Sequence, residues 1–146
     1  MKKLFIIALL ALSIGSSAFA NTTAAISKTV INRFYAEYKD ASNVSWSTTG
    51  NYAKASFTVD NKKMEAYYNT NGEVVATSTN ISLDELPVNA KRTFAKKFAG
   101  YTVKEAIRFE GAEESGYYIS AENDKLSIIL KVNENNQVGI FKTTKK

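Results

Sequence analysis

The stretch that decides the fold spans residues 54–75 and reads KASFTVDNKKMEAYYNTNGEVV. It predicts two antiparallel strands joined by a two-residue turn at Asp60-Asn61, because the residue pairs on either side of that turn sort into two unlike faces. One face holds the apolar pairs Phe57–Met64, Ala55–Ala66 and Ala53–Tyr68. The other face holds the more polar pairs Thr58–Lys63, Ser56–Glu65, Lys54–Tyr67 and Tyr52–Asn69. A half-buried antiparallel sheet requires such a split.

The same pattern returns 64 residues further on, where Asp124, Asn133 and Val138 repeat Asp60, Asn69 and Val74. A second hairpin is therefore expected from residues 117–122 and 125–132, around a turn at Asn123-Asp124. Its predicted register pairs Ala121 with Leu126, Ile119 with Ile128, and Tyr117 with Leu130. Asn71-Gly72 predicts a turn into a further strand at residues 73–78, and the last strand is expected at residues 137–142.

Helical periodicity precedes each hairpin. A first helix is predicted from Lys28 to about residues 41–43, and a second from Pro87 to Ala99 with Gly100 ending it. Each is followed by a predicted strand, at residues 44–48 and 102–109, and a loop is expected at residues 110–116. The apolar side of these elements contains Ile31, Phe34, Tyr38, Trp46, Ala90, Phe94, Phe98, Val103 and Ile107.

These elements predict an α+β fold in one compact domain over residues 21–146. It would consist of two tandem units, each a helix packed on one face of a four-stranded antiparallel sheet. Unit one covers about residues 28–79 and unit two about residues 82–143. The alternative is two independently folded lobes, which is less favoured because about 60 residues bury too little surface for a robust core.

The N-terminus has the features of a secretory signal peptide. Lys2-Lys3 precede an apolar run over residues 4–14, and small residues before Ala20 predict cleavage after that residue. The run is shorter than the ~20 residues of a spanning helix, so no membrane span is expected after cleavage. The predicted location is the periplasm or the cell exterior. With no cysteine in the chain, stability must come from packing rather than disulfides.

Composition argues against several functional classes. The chain has no histidine and no cysteine, and its carboxylates form no spacing typical of a calcium loop, so no metal, cofactor or catalytic residue is predicted. Without Lys2 and Lys3 the basic count falls from 19 to 17 against 14 acidic residues, a net charge of +3. No basic stripe accompanies it, so nucleic acid is not an expected partner. We expect a protein that is not an enzyme.

The chain resembles the PepSY-like and β-lactamase-inhibitor-like (BLIP-like) exported domains of Bacteroidetes. The residues that carry the resemblance are Phe34, Tyr38, Trp46, Tyr67, Tyr68, Asn71, Gly72, Leu86, Pro87, Ala90, Phe94, Phe98, Tyr101, Ile107, Tyr117 and Tyr118. The resemblance implies a helix packed on a four-stranded antiparallel sheet, occurring twice. It also implies, for proteins of the inhibitor type, a concave joined sheet whose open face binds a partner protein.

The outer face of the predicted sheet supplies the candidate binding residues, which are Tyr52, Lys54, Tyr67, Tyr118 and Ile129, with Ile129 placed opposite Tyr118. Tyrosine side chains can anchor a protein interface, although tyrosine is also an ordinary strand former. The expected function is non-catalytic binding of a protein or peptide by this face, with an inhibitor-like role as one form of it. The alternatives are a small-molecule or lipid binder that uses a cavity between helices and sheet, or an accessory to an envelope sensor.

Overall fold

The computed structural model of the chain describes residues 26–146. The predicted signal peptide and its cleavage point lie outside that range. The elements are α1 (Lys28–Glu37), β1 (Ser42–Thr49), β2 (Tyr52–Val59), β3 (Lys62–Tyr68), β4 (Val74–Asn80), a 3₁₀ turn (Leu83–Glu85), α2 (Val88–Lys97), β5 (Thr102–Gly111), β6 (Ser115–Glu122), β7 (Leu126–Val132) and β8 (Val138–Lys145).

All eight strands form one antiparallel sheet in chain order from β1 to β8. The prediction of two tandem helix-plus-four-strand units is therefore wrong. Strand β4 pairs with β5 from Ala76 opposite Gly111 to Asn80 opposite Ile107, so the sheet continues through the expected boundary. Strands make up 52% of the structure, against two helices of ten residues each. The merger has a physical reason, because pairing β4 with β5 satisfies backbone groups that two separate sheets would leave at exposed edges.

The register predicted for the first hairpin is confirmed. Its pairs run from Val59 opposite Lys62 to Ala53 opposite Tyr68. Asp60 and Asn61 have φ angles of 50° and 61°, the left-handed conformation that both central residues of a type I′ turn require. The short-range sequence signal was therefore sufficient to fix this element.

The register predicted for the second hairpin is wrong by two residues. Ala121 lies opposite Ile128 rather than Leu126, and Tyr118 lies opposite Lys131 rather than Ile129. The cause is Asn123, whose side-chain oxygen accepts hydrogen bonds from the backbone N–H groups of residues 125 and 126 at 2.9 and 2.8 Å and so closes a longer turn. Because side chains alternate with a period of two, this shift leaves each one on its expected face.

The turns after β3 and β7 repeat one another closely. Asn69 accepts hydrogen bonds through its side-chain oxygen from the N–H groups of residues 71 and 73 at 3.0 Å. Asn133 does the same for residues 135 and 137, at 3.0 and 2.9 Å. Gly72 and Asn136 then adopt positive φ angles of 81° and 59°. The 64-residue echo in the sequence thus corresponds to two turns of the same construction within the single sheet.

Strand β5 departs from the expected pattern in two ways. A register shift between Val103 and Glu105 interrupts the alternation of side chains, so that Ile107 lies on the opposite face from Val103, where both were expected to point inward. The loop predicted at residues 110–116 is also too long. It is a tight turn in which the N–H of Gly111 donates to the carbonyl of Glu114 at 2.9 Å.

Both helices pack on one face of the sheet, which we call the helix face. Phe34 of α1 is fully buried, and its ring lies 4.9 Å from that of Phe57 and 5.2 Å from that of Trp46. Ala90 of α2 is buried in a second cluster that includes Ile119 and is built mainly on β6 and β7. Both helices end earlier than predicted, at Glu37 and Lys97. We call the other side of the sheet the open face, since no helix within residues 26–146 packs on it.

Candidate binding face

The open face carries an apolar cluster of its own. Its buried members, drawn from strands β3 to β7, are Tyr67, Ala76, Ile107, Phe109, Tyr118 and Ile129. Val75 and Phe141 are partly buried and pack against them. An antiparallel sheet with one solvated face normally alternates apolar and polar residues, with the polar ones on the solvent side. This sheet instead presents apolar side chains on both faces.

Tyr118 lies at the centre of the aromatic contacts in this cluster. Its ring meets Phe141 edge-on with centroids 5.4 Å apart, and Phe109 edge-on at 6.1 Å. The ammonium of Lys131 lies 5.9 Å from the same ring centroid. The Tyr118 hydroxyl donates to the carboxylate of Glu114 at 3.3 Å. Burial raises the pKa of Tyr118 to about 12, so the hydroxyl stays a hydrogen-bond donor at any physiological pH.

A polar network borders the cluster on strands β2 and β3. The Lys54 ammonium donates to Glu65 Oε1 at 3.0 Å, and the Tyr67 hydroxyl donates to Glu65 Oε2 at 2.6 Å. The Ser56 hydroxyl also reaches Oε1, at 3.4 Å. Burial, and then the charge of Glu65, raise the pKa of Tyr67 well above its ordinary value. Glu65 is thus a carboxylate whose two oxygens are already supplied with donors, one of them charged.

A second carboxylate, Glu105, lies on β5 beside the end of β4. Its Oε1 accepts a hydrogen bond from the Asn80 side-chain amide at 3.0 Å. Burial raises the pKa of Glu105, and the charge of Glu65 adds to that effect against the hydrogen bond from Asn80 and the weaker attraction of Lys63. Ser78 lies directly opposite Glu65 on β4 and is 8% exposed. The middle of the open face therefore holds buried polar groups next to the apolar cluster.

The structure places the five predicted binding residues unequally. Tyr67, Tyr118 and Ile129 meet in the apolar cluster with exposed fractions of 1%, 2% and 6%. Lys54 is 5% exposed and is joined to that group through Glu65. Tyr52 is half-buried at the start of β2 and lies outside the cluster. The side chains expected to project as exposed anchors are thus largely part of a second packed layer.

The sequence analysis placed Glu65 on this face but did not choose it as a binding residue, and it missed Ser78, Asn80, Glu105 and Phe109. Ser78, which lies directly opposite Glu65, could have been found once β4 was paired with β3. Glu105 and Phe109 could not, because the register shift in β5 changes which residues face outward and no turn residue marks it.

Two open grooves lie at the surface of the described chain. One, of about 730 Å³, runs between α1 and the turn after β3, with Arg33, Glu37 and Glu73 in its walls. The other, of about 700 Å³, runs between α2 and the edge of the sheet, and is lined by helix residues, the turn after β7 and residues 138–141 of β8. A cavity for a lipid tail would be enclosed and apolar, whereas both grooves are open to solvent, so they do not support lipid binding.

Comparison with known proteins places the fold but not the activity. No family model matches the chain, and no curated protein matches it. The class that the fold defines is a single-sheet antiparallel protein with helices on one face, and solved structures of that class match well. A protein from Bacteroides eggerthii described as a candidate periplasmic protein has a TM-score of 0.73 at 17% identity, over 82% of this chain and 88% of its own.

Two further solved structures share the fold. A DUF2874 family protein from Bacteroides uniformis has a TM-score of 0.71 at 16% identity, over 82% of this chain and 88% of its own. A BLIP-like protein from Bacteroides fragilis has a TM-score of 0.65 at 19% identity, over 82% and 85%. The resemblance to BLIP-like proteins is confirmed at the level of the fold, which is all that such identities show. The PepSY-like resemblance stays a prediction.

Proposed function

We propose that this chain is an exported, non-catalytic binding protein that uses the open face of its sheet to hold a protein or a peptide. The observation that supports this best is the apolar cluster around Tyr118 on the face that neither helix covers. The partly buried Val75 and Phe141 at its margin offer apolar contact area to a partner. The other members of the cluster are buried, so these two side chains are the part of it that a partner can reach, and apolar side chains at the surface beside polar groups are typical of interaction sites.

The polar groups of the face favour recognition over catalysis. A general base needs a carboxylate that can take a proton from a reacting group. Glu65 is held by donors from Lys54 and Tyr67. Glu105 accepts from the amide of Asn80, a group that it cannot deprotonate at neutral pH. Within residues 26–146, no three histidine, cysteine, aspartate or glutamate side chains lie close enough to hold a metal ion. We therefore assign this face no chemical step.

Export is part of the proposal. The predicted signal peptide supports it, and the structural neighbour from Bacteroides eggerthii is described as a candidate periplasmic protein. No helix of residues 26–146 is long and apolar enough to cross a membrane. A protein released into the periplasm, or beyond it, would meet other envelope proteins there.

The test compares two pairs of variants of the mature chain in affinity capture from an envelope extract of the native host, quantified by mass spectrometry. Tyr67 and Tyr118 are too buried to serve, because truncating them would unfold the protein. Val75→Ser with Phe141→Ser changes the open face. Tyr35→Ser with Val88→Ser is the matched control, since those residues are 50% and 58% exposed on the helices.

The expected result is that one partner is recovered by the wild-type protein and by the control pair, and is lost from the open-face pair. Circular dichroism verifies that both pairs fold. Equal recovery by both pairs would overturn the proposal, and so would failure of the wild-type protein to retain any partner above the level of an unrelated periplasmic protein.

A further inference from the structure

The middle of the open face contains hydrogen-bond acceptors that outnumber their donors. Glu105 precedes Ile107 on β5, and Ile107 pairs with Asn80 on β4. Asn80 donates its amide to Glu105 Oε1 at 3.0 Å, which leaves Glu105 Oε2 and the Asn80 carbonyl oxygen without a donor among residues 26–146. Both belong to half-buried side chains. The two strands thus present, at one place, two oxygens that are open to solvent.

The negative charge of Glu105 also lacks a close cation in the described part of the chain. Lys54, on the same face, lies 3.0 Å from Glu65 and is occupied by it. Lys63 is exposed, and of the groups that act on the pKa of Glu105 it has the smallest effect. Glu65 adds a second negative charge nearby. A half-buried carboxylate in this setting favours a positively charged ligand.

Ser78 places a third oxygen at the same point of the open face. It is 8% exposed, and its side chain shares the open face with Asn80, two residues along β4, and with Glu65 directly opposite. Tyr68 Oη is the single buried side-chain nitrogen or oxygen without a partner among residues 26–146. The Ser78 hydroxyl, for which the described chain supplies no hydrogen bond, therefore reaches solvent and is open to a ligand beside the acceptors of Glu105 and Asn80.

We propose that Glu105, Asn80 and Ser78 form a subsite for the basic side chain of the bound protein or peptide, a lysine ammonium or an arginine guanidinium. Both groups carry several donors and no acceptor, which suits a site where the carboxylate of Glu105, the amide oxygen of Asn80 and the hydroxyl oxygen of Ser78 can all accept. The inference rests on the proposed function and names the feature of the partner that this face selects.

The experiment titrates the uniformly ¹⁵N-labelled mature protein with two short peptides and records backbone amide shifts. One peptide, acetyl-Ala-Arg-Ala-amide, carries the guanidinium, and the other carries citrulline, its uncharged isostere. The arginine peptide is expected to shift the amides of Ser78, Asn80 and Glu105 and to bind about tenfold more tightly, because hydrogen bonds to a charged donor are about twice as strong as neutral ones.

Two variants make the test specific. Glu105→Gln keeps the shape of the side chain and should remove the preference for the arginine peptide. Glu134→Gln, in the exposed turn after β7, makes the same change of charge and should leave the preference unchanged. A titration with calcium chloride is a third arm. Shifts at the same three amides with Ca²⁺ but not with the arginine peptide would overturn the proposal in favour of a metal site.

The outcomes also separate this inference from the proposed function. If both peptides shift open-face amides equally, or if neither shifts the three subsite amides, the subsite is refuted. If the variant carrying both Val75→Ser and Phe141→Ser fails to capture the partner, that result supports the proposed function whichever way the peptide titration turns out. If the open-face pair captures the partner normally, the proposed function fails whatever the peptides do.

Discussion

The buried ion pair between Lys54 and Glu65 allows a sharp test of how the open face is built. Glu65→Gln keeps the size of the side chain but removes its charge, which leaves the Lys54 ammonium without a counter-ion. The Lys54 side chain is 7% exposed and that of Glu65 23% exposed, with the ammonium 3.0 Å from the carboxylate oxygen. The variant should therefore lose stability, because the remaining charge is nearly dry.

The expected loss of stability lies between the values known for fully buried and for exposed ion pairs. Breaking a fully buried pair costs about 3–5 kcal/mol, whereas an exposed pair contributes about 0.2–1 kcal/mol. Water still reaches Glu65 over about a quarter of its side chain, which screens the interaction. We expect Glu65→Gln to lower the free energy of unfolding by about 2–3 kcal/mol.

The assay is urea unfolding of the mature chain, monitored through Trp46, the single tryptophan, and through circular dichroism. Lys54→Met and the double variant complete a thermodynamic cycle, in which the double variant should lose less than the sum of the two single losses. Glu110→Gln is the control, since its pair with Arg108 is more than half exposed on both sides. A loss below about 0.5 kcal/mol for Glu65→Gln, or strictly additive losses, would refute the reasoning.

Three further predictions concern single side chains. Tyr68→Phe should raise the free energy of unfolding by about 1 kcal/mol in the same assay, because its buried hydroxyl has no hydrogen-bond partner among residues 26–146; a clear loss would contradict this. Gly116→Ala should cost about 1–3 kcal/mol, since a Cβ there would lie 2.8 Å from the carbonyl oxygen of Val132, and an unchanged urea midpoint would refute the close approach. Glu105 has a raised pKa, so the folded state binds its proton more tightly than the unfolded state. The stability that this protonation adds to the folded state is complete below the unfolded-state pKa and is lost as pH rises through the folded-state pKa. Glu105→Gln should remove this part of the pH dependence of the free energy of unfolding, and a variant with the same pH dependence as the wild-type protein would contradict the prediction.

The sequence was most informative where local chemistry decides the structure. The first hairpin was predicted with its register because Asp60 and Asn61 both suit the left-handed conformation that a two-residue turn demands. The second hairpin has the same general pattern, but Asn123 uses its side chain to close a longer turn. Periodicity cannot distinguish the two cases, since a shift of two residues leaves every side chain on the same face.

The overall architecture could not be obtained in this way. Whether β4 pairs with β5 depends on contacts between residues about 30 positions apart, such as Ala76 and Gly111, and no turn links those strands directly. A repeated sequence pattern is equally compatible with two sheets and with one. Pairing removes two exposed edges, and that energetic preference is invisible in a pattern of side chains.

The candidate site was predictable in part. Alternation from the first turn assigned Lys54 and Tyr67 to one face, but their burial arises from contacts across the sheet that a single hairpin does not show. The polar residues around Glu105 could not be assigned to this face, because the register shift in β5 is not marked by a glycine or a proline. The local sequence pattern therefore predicts which face a side chain occupies. It does not predict burial, because these side chains are buried only when strands distant in sequence pair with one another.

The central claim is that the partner contacts the open face, and site-specific photo-crosslinking in living cells of the native host tests it most directly. A benzophenone amino acid is placed at Tyr52 or Lys142, half-buried positions on the open face, and at Tyr35 or Val88 on the helices. The account predicts one adduct of the same mass from both open-face positions and none from the helices. Adducts from the helix positions alone would contradict it.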